Sequence, residues 1–147
     1  MSKDPIGGIY AIAPLSDLQA SHIVLPSPGD IYTATFKHNP KYPDDCNERK
    51  YHNDRREQQK VMNYAKDFEP SFIINENVTP MDGAIIIDMD GIVLGGNGRT
   101  MILHCAKILH PDRYAENRKM LMRKSWIYGI APDKIKDMAD PVLVRVV

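Results

Sequence analysis

The fold of this chain is decided by one stretch, Asp88-Met89-Asp90-Gly91-Ile92-Val93-Leu94-Gly95-Gly96-Asn97-Gly98-Arg99-Thr100. Its first four residues separate two short β-prone runs, Ala84–Ile87 and Gly91–Leu94, and Asp and Gly tolerate the backbone angles of a tight hairpin turn. The second run leads directly into a glycine-rich turn. The mostly apolar segment Met101–Leu109 that follows is typical of a buried helix. We therefore predict a hairpin, a glycine-rich turn and a helix in succession.

The glycine-rich turn, Gly95–Thr100, has the composition of a phosphate site. Glycine lets the backbone approach a ligand closely, and the start of a helix offers N–H groups and the positive end of its dipole. Arg99 adds a fixed charge with bidentate geometry for phosphate, and Thr100 adds a hydroxyl that could cap the helix or contact a phosphate or metal-bound water. The alternative is a structural turn between strand and helix, with Arg99 at the surface.

The turn matches neither of two common nucleotide-binding loops. The P-loop pattern GxxxxGK[ST] is absent, and the dinucleotide pattern GxGxxG fails because Met101 stands where its third glycine would be. The phosphate hypothesis therefore depends on the local chemistry of the turn.

Upstream of this stretch, the sequence predicts one strand, one long irregular segment and one helix. The run Ile9–Ala13 is β-prone and stops at Pro14. Residues 22–47 contain repeated Pro and Gly breakers and are predicted to be irregular. Apolar residues at helical spacing predict a helix over Asp54–Phe68, which Asn53 or Asp54 can cap, Asp54 with Glu57 at capping-box spacing, and which Pro70 ends.

The remaining segments complete an α+β pattern. Ser71–Asn75 is a short apolar run read as a strand, and Asp112–Tyr128 is predicted as a helix that ends at Gly129. Pro132–Met138 is predicted as a short helix, and Pro141–Val147 as a strand. We expect a small mixed sheet with two or three helices packed on it.

Composition limits the class of protein. The chain has 147 residues with 19 basic and 19 acidic side chains, which excludes a polycationic chain that binds nucleic acid by charge alone. Two cysteines are too few for a disulfide scaffold, and no apolar run approaches the length of a membrane span. We expect one cytoplasmic domain over residues 1–147, with residues 1–8 as a flexible N-terminus.

Outside the turn, the sequence offers weaker candidates. Residues 107–124 carry six basic and two acidic side chains, which suits either a DNA-facing patch or, as we favour, a solvated helix face. The basic ones are Lys107, Arg113, Arg118, Lys119, Arg123 and Lys124. Asp88 and Asp90 could hold Mg²⁺ through water, but turn-forming roles are favoured. His104 is favoured as a core or cap residue, and Trp126 and Tyr128 as anchors to the core.

The central stretch resembles a known family. Asp90–Thr100 is similar to the central box of the ParB/sulfiredoxin superfamily, in which a turn and a strand lead to G-x-x-R at the start of a helix. The form Gly96-Asn97-Gly98-Arg99-Thr100 is most similar to the ddrB-like ParB domains of plasmids, phages and other mobile elements. The resemblance implies a ParB/sulfiredoxin-like single domain.

The resemblance extends over most of the chain. Tyr10–Ser21 resembles the family's opening strand and turn, and Asn47–Arg49 stands where a short polar box ends in Arg. Gln58–Pro70 resembles its helix, Gly83–Ile86 a following strand, and Pro141–Arg145 its closing strand. These flanking matches are individually weak, and the central box is the specific one.

The resemblance implies a nucleotide site. In ParB proteins the corresponding box holds the phosphates of CTP, and in sulfiredoxins those of ATP, with Mg²⁺. Carried over by position, the phosphates would be lined by Gly95, Gly96, Asn97, Gly98, Arg99 and Thr100. Arg49 would supply a second positive charge, and Glu48 is the candidate for general-base or metal work. No direct metal ligand is assigned.

Two departures from the superfamily's patterns narrow the chemistry. Asn97 stands where sulfiredoxins carry their catalytic cysteine, and a carboxamide cannot act as a thiolate nucleophile, so this is not a sulfiredoxin. Chromosome-segregating ParB proteins carry E-N-x-x-R, whereas here Glu116-Asn117 is followed by Met120 at the Arg position. Cys105 is expected to be a core residue.

We therefore expect a ParB-like domain that binds a nucleoside triphosphate, CTP or ATP, with Mg²⁺, any hydrolysis being slow and serving as a switch in DNA-related processes of a mobile element. The alternative is a DNA-binding or nuclease-like module that grips a DNA phosphate with the same turn and the basic helix. A third possibility is an interaction module that has kept only the fold, and a homodimer is left open.

Overall fold

The computed structural model describes residues 8–43, 54–76 and 83–147. Its main sheet has four strands, β1 (Ile9–Pro14), β4 (Ile85–Ile87), β5 (Val93–Gly95) and β6 (Pro141–Val146). Their order across the sheet is β1-β6-β4-β5. β1 with β6 and β4 with β5 pair antiparallel, whereas β4 with β6 pair parallel. The predicted hairpin and the small mixed sheet are both confirmed.

A second, two-stranded sheet corrects the prediction that residues 22–47 are irregular. β2 (His22–Ser27) and β3 (Asp30–His38) form an antiparallel hairpin. Its prolines lie where a two-stranded ribbon tolerates them: Pro26 adjoins a shift in the pairing register, and Pro28 precedes the turn glycine Gly29. Breaker residues therefore marked the end of a strand and a turn here, and not the absence of strands.

The helices are α1 (Arg55–Lys66), α2 (Asn97–Leu109), α3 (Pro111–Tyr114), α4 (Glu116–Lys124) and α5 (Pro132–Asp137). α1 begins as predicted, with Asp54 Oδ1 accepting hydrogen bonds from the backbone N–H groups of Arg56 and Glu57. α2 begins four residues before the predicted Met101, because Gly96 caps it and Gly98 is accommodated in its first turn.

Two other predicted elements differ from the structure. The helix expected over residues 112–128 is divided into α3, α4 and a 3-10 turn, Ser125–Tyr128, although Gly129 does end it in the left-handed region at φ 68°. The apolar run Ser71–Asn75 forms no strand. Pro70 instead starts a 3-10 turn, Pro70–Phe72, because proline suits the first position of a helical turn.

The core holds α2 in the middle of the molecule. Met101, Leu103 and Cys105 are fully buried, and α2 contacts α1 and both strands of the β2–β3 hairpin. The start of α2 therefore emerges between the end of β5 and the hairpin.

Several sequence predictions lie outside the described residues. They concern the flexible N-terminus, of which only Gly8 is described, together with Glu48 and Arg49. In the described ranges, no helix is both long and apolar enough to cross a membrane.

Candidate functional site

The glycine-rich turn joins β5 to α2 through Gly96. This residue has φ 106° and ψ 30°, in the left-handed region, and the helix has no side-chain cap. The first hydrogen bond of α2 runs from Thr100 N to Gly96 O, at 2.9 Å. The N–H groups of a helix's first turn have no intrahelical partner. The backbone of Asn97–Arg99 therefore presents N–H groups at the positive end of the helix dipole.

Arg99 folds back over this turn. Its side chain is buried, with only 9% of the residue exposed. A Cβ built at Gly96 would lie 2.8 Å from Arg99 Nη2 and 3.0 Å from Nε. The guanidinium thus occupies the space that any side chain at position 96 would need. Arg99 is held against the turn, and is not the surface side chain of the structural alternative.

The Asn97 side chain is held by protein groups on both sides. Its Oδ1 accepts a hydrogen bond of 2.8 Å from Ser21 N, and its Nδ2 donates one of 3.0 Å to Tyr42 Oη. Tyr42 in turn donates to Val93 O at 2.9 Å. The carboxamide connects the start of α2 to β5 and to the segment before β2. Asn97 can therefore offer a ligand its backbone N–H while its side chain fixes the turn.

Thr100 is fully buried in the first turn of α2. Its hydroxyl donates to Gly96 O at 2.8 Å, the same carbonyl that accepts from Thr100 N. The hydroxyl therefore stabilises the turn from inside. Gly95, Gly96 and Gly98 are half-buried.

The preceding hairpin is fixed by an aspartate and a glycine. Asp88 Oδ1 accepts hydrogen bonds from Asp90 N and Ile92 N, both at 2.9 Å, so Asp88 forms the turn, the role the sequence favoured. Gly91 has φ 82°, and a Cβ there would lie 2.5 Å from Asp17 O. The backbone of Gln19 forms hydrogen bonds on both sides of Ile92: its N–H donates to Gly91 O, and its carbonyl accepts from Val93 N. The strand that leads into the glycine-rich turn is thereby clamped.

A comparison with known families decides the identity. The sequence model of the ddrB-like ParB superfamily domain matches residues 3–147. The chain belongs to this family. No curated protein and no solved structure gave a match. The α+β fold with a small mixed sheet agrees with a ParB-like domain.

This ddrB-like ParB domain also contains a polar pair that sequence reasoning missed. Ser21 Oγ lies 2.9 Å from His22 Nδ1, and both residues are 3% exposed. The His22 ring packs edge-on against that of His38, its partner in the hairpin register. Ser21 N bonds to Asn97, so the pair adjoins the start of α2. The prediction that residues 22–47 are irregular concealed this cross-strand pairing.

Four of the six basic residues at positions 107–124 are engaged within the protein. Lys107 Nζ lies 2.7 Å from Asp140 Oδ2, and Arg113 pairs with Glu69 at 3.6 Å. Arg118 donates to backbone carbonyls, including that of Met138 at 2.8 Å. Lys119 pairs with Glu116 at 3.2 Å. These four charges have intramolecular roles.

Arg123 and Lys124 differ from those four basic residues. Both are exposed and, in the part of the chain that the structure describes, neither forms an ion pair or a side-chain hydrogen bond. They are the two charges of the predicted patch that remain available to a partner.

Burial makes His104 and Cys105 of α2 unsuited to catalysis. Burial raises the pKa of the Cys105 thiol to about 12, which confirms the core role predicted for it. Burial, with Lys107 nearby and against the opposing effect of Asp140, lowers the pKa of His104 to about 4. His104 is therefore neutral at pH 7 and half-buried.

The described residues do not form a protein metal centre. Within residues 8–43, 54–76 and 83–147, no group of three or more His, Cys, Asp or Glu side chains is placed to hold a metal ion. Glu48 and Arg49 lie outside these ranges, so their placement beside the turn remains a prediction.

Proposed function

We propose that this ddrB-like ParB domain binds the phosphates of a nucleoside triphosphate, CTP or ATP, at the turn Gly95–Thr100, with Mg²⁺. The observation that carries the proposal is the buried Arg99 guanidinium folded across Gly96 at the start of α2. A charge held in place before the ligand arrives loses little side-chain entropy on binding.

The turn combines three features suited to a phosphate. Its glycines carry no side chains, the first amides of α2 are without a side-chain cap, and Arg99 supplies a full positive charge. Asn97 and Thr100 support the site through the hydrogen bonds that fix the turn, with the backbone N–H of Asn97 as a phosphate donor.

Mg²⁺ fits this site as a partner of the nucleotide. Mg²⁺ commonly keeps several waters and binds through phosphate oxygens and one or two carboxylates. The absence of a metal-ligand cluster among the described residues is compatible with that mode. When bound, Mg²⁺ would neutralise phosphate charge, and Arg99 would share that task.

Hydrolysis, if it occurs, is proposed to be slow and to act as a switch. The groups assigned to the phosphates supply charge stabilisation and positioning, and none is a covalent nucleophile. Glu48 is the proposed general base and Arg49 a second phosphate ligand, as the family resemblance implies. The setting we propose is a DNA-related process of a mobile element.

The alternative is that the turn grips a DNA phosphate, in a DNA-binding or nuclease-like module. The same amides and the same arginine suit either ligand. The engagement of Lys107, Arg113 and Arg118 within the protein makes a broad basic helix face less available, so we favour the nucleotide.

Calorimetric titration of CTP, ATP and GTP with Mg²⁺ into the wild type, Arg99→Lys and Arg99→Ala tests the proposal. We expect saturable binding by the wild type, weaker binding by Arg99→Lys because lysine lacks the bidentate fork, and loss in Arg99→Ala. Arg113→Ala, which removes an exposed arginine paired with Glu69, is the matched control and should bind normally.

Circular dichroism establishes that each variant is folded. No binding of any nucleotide by folded wild type would overturn the proposal, and salt-dependent DNA binding that requires Arg99 would then favour the alternative. If nucleotide binds, Glu48→Gln should leave affinity in place and slow any hydrolysis.

A further inference from the structure

Trp126 is the least expected feature of the surface. It is the sole tryptophan of the chain and is 78% exposed, contrary to the prediction that it anchors the core. Tyr128 is the residue that anchors this segment to the core: it is buried and packs edge-on against Tyr10, with ring centroids 4.9 Å apart. In the described ranges the Trp126 ring makes no aromatic or cation–π contact. The fold therefore leaves a large flat ring in solvent.

The chain segment around this ring is basic and lacks acidic residues. Arg123 and Lys124 end α4 immediately before the 3-10 turn that carries Trp126. Met122, at 36% exposure, lies one helical turn before Trp126. No Asp or Glu occurs between residues 117 and 131. The segment Met122–Trp126 thus carries an exposed aromatic ring, an apolar side chain and two cations that form no ion pair among the described residues.

Helix electrostatics account for only part of this arrangement. Basic residues at the end of a helix complement the negative end of its dipole, which gives Arg123 and Lys124 a modest structural role. The dipole gives no reason for an exposed tryptophan beside them. An exposed ring flanked by cations is the arrangement by which proteins stack unpaired bases and neutralise the phosphates between them.

We propose that Trp126, Arg123 and Lys124 form a binding surface for single-stranded nucleic acid, separate from the nucleotide turn. One base stacks on the exposed face of Trp126, and the adjacent phosphates contact the two cations. The contacts are to a base face and to the backbone, so the surface binds with little sequence preference.

Trp126 is its own reporter, because the full chain contains no other tryptophan. The probes are the 20-nucleotide oligomers dT20 and rU20, with a 20-base-pair DNA duplex for comparison. We expect at least one single strand to quench Trp126 fluorescence and to bind more tightly than the duplex. Anisotropy of a labelled oligomer gives the affinity for variants that lack the tryptophan.

Three variants separate stacking from charge. Trp126→Ala should weaken binding about 5- to 150-fold, the effect of losing one stacked base, and Trp126→Phe should retain part of it. Removing Arg123 or Lys124 with alanine should each lower the slope of log affinity against log salt by about 0.7. Lys60→Ala, which removes an exposed lysine paired with Glu57 on α1, should leave affinity unchanged.

Several results would overturn the proposal. These are no binding of either single strand by the folded wild type, binding that is as strong in Trp126→Ala, or a wild-type dimer in sedimentation that Trp126→Ala dissociates. The last result would assign the surface to a second copy of the chain. Arg99→Ala should leave binding of the oligonucleotides dT20 and rU20 intact. This inference and the nucleotide proposal can therefore fail independently of each other.

Discussion

At the scale of single residues, the candidate site depends on the absence of a side chain at position 96. Gly96 adopts φ 106°, where side chains are rarely tolerated, and the Arg99 guanidinium lies where its Cβ would be. Gly96→Ala should destabilise the fold by about 1–2 kcal/mol through backbone strain alone. It should also displace Arg99 and weaken nucleotide binding. Thermal unfolding and calorimetry measure the two effects separately.

Gly129 offers a matched control for this prediction. It also has a positive φ, at 68°, but a Cβ there meets nothing within 4 Å. Gly129→Ala should therefore lower the melting temperature and leave nucleotide affinity unchanged. If both variants bind nucleotide like the wild type, the close packing of Arg99 on Gly96 has no role in the site.

At the scale of elements, Asn97 and Tyr42 tie the start of α2 to the start of β5. Asn97→Ala leaves Ser21 N and Tyr42 Oη without this partner, and we expect a loss of about 1–3 kcal/mol in the free energy of unfolding. Tyr42→Phe removes the same link from the other side. A double-mutant cycle by urea unfolding should give a coupling of about 0.5–3 kcal/mol.

The cycle has a clear opposite result. Strictly additive losses would mean that the two side chains support the fold independently, and that the bond between Asn97 Nδ2 and Tyr42 Oη adds nothing to stability. The position that carries the catalytic cysteine in sulfiredoxins would then lack the structural role assigned to it here.

Local signals explain which elements the sequence could predict. The strand at Ile9, the capped helix at Asp54 and the hairpin at Asp88 are each set by neighbouring residues, and all three agree with the structure. The β2–β3 hairpin was missed because its prolines were read as breakers of a single segment. The composition of one segment does not show which residues of two strands will pair.

The contrast between local signals and contacts made through the fold applies also to the candidate site. Glycine and arginine in one short turn made Gly96 and Arg99 candidates from sequence alone. Ser21 and Tyr42 were not found, since they lie 76 and 55 positions from Asn97 along the chain and meet it only through the fold. A tertiary hydrogen bond of this kind leaves no spacing signal in one sequence.

At the scale of the whole molecule, Asp140 connects three parts of the fold. Its carboxylate accepts from Lys107 of α2 and Tyr114 of α3, and its backbone carbonyl accepts from Leu15 N after β1. Burial acts to raise the pKa of Asp140, but the hydrogen bonds from Lys107 and Tyr114, together with the positive charges of Lys107 and Arg118, outweigh it and hold this pKa below its ordinary value. The stability that Asp140 contributes is therefore lost only at strongly acidic pH.

His104 makes the stability of the fold depend on pH in a range above the one in which Asp140 acts. Its pKa is about 4 in the folded protein, against about 6.5 when exposed. The unfolded chain therefore binds a proton between these values that the folded chain does not. Stability is fully present above pH 6.5 and falls as the pH is lowered toward 4, by about 2–3 kcal/mol from this group.

Urea unfolding at intervals from pH 7.5 to pH 4 tests this linkage, with His104→Gln as the comparison because glutamine cannot take up a proton in this range. The variant should lose less stability than the wild type between pH 6.5 and pH 4, and the two curves should run parallel above pH 7. Parallel curves throughout would mean that protonated His104 is tolerated in its half-buried position, and that the acid sensitivity of the fold lies elsewhere.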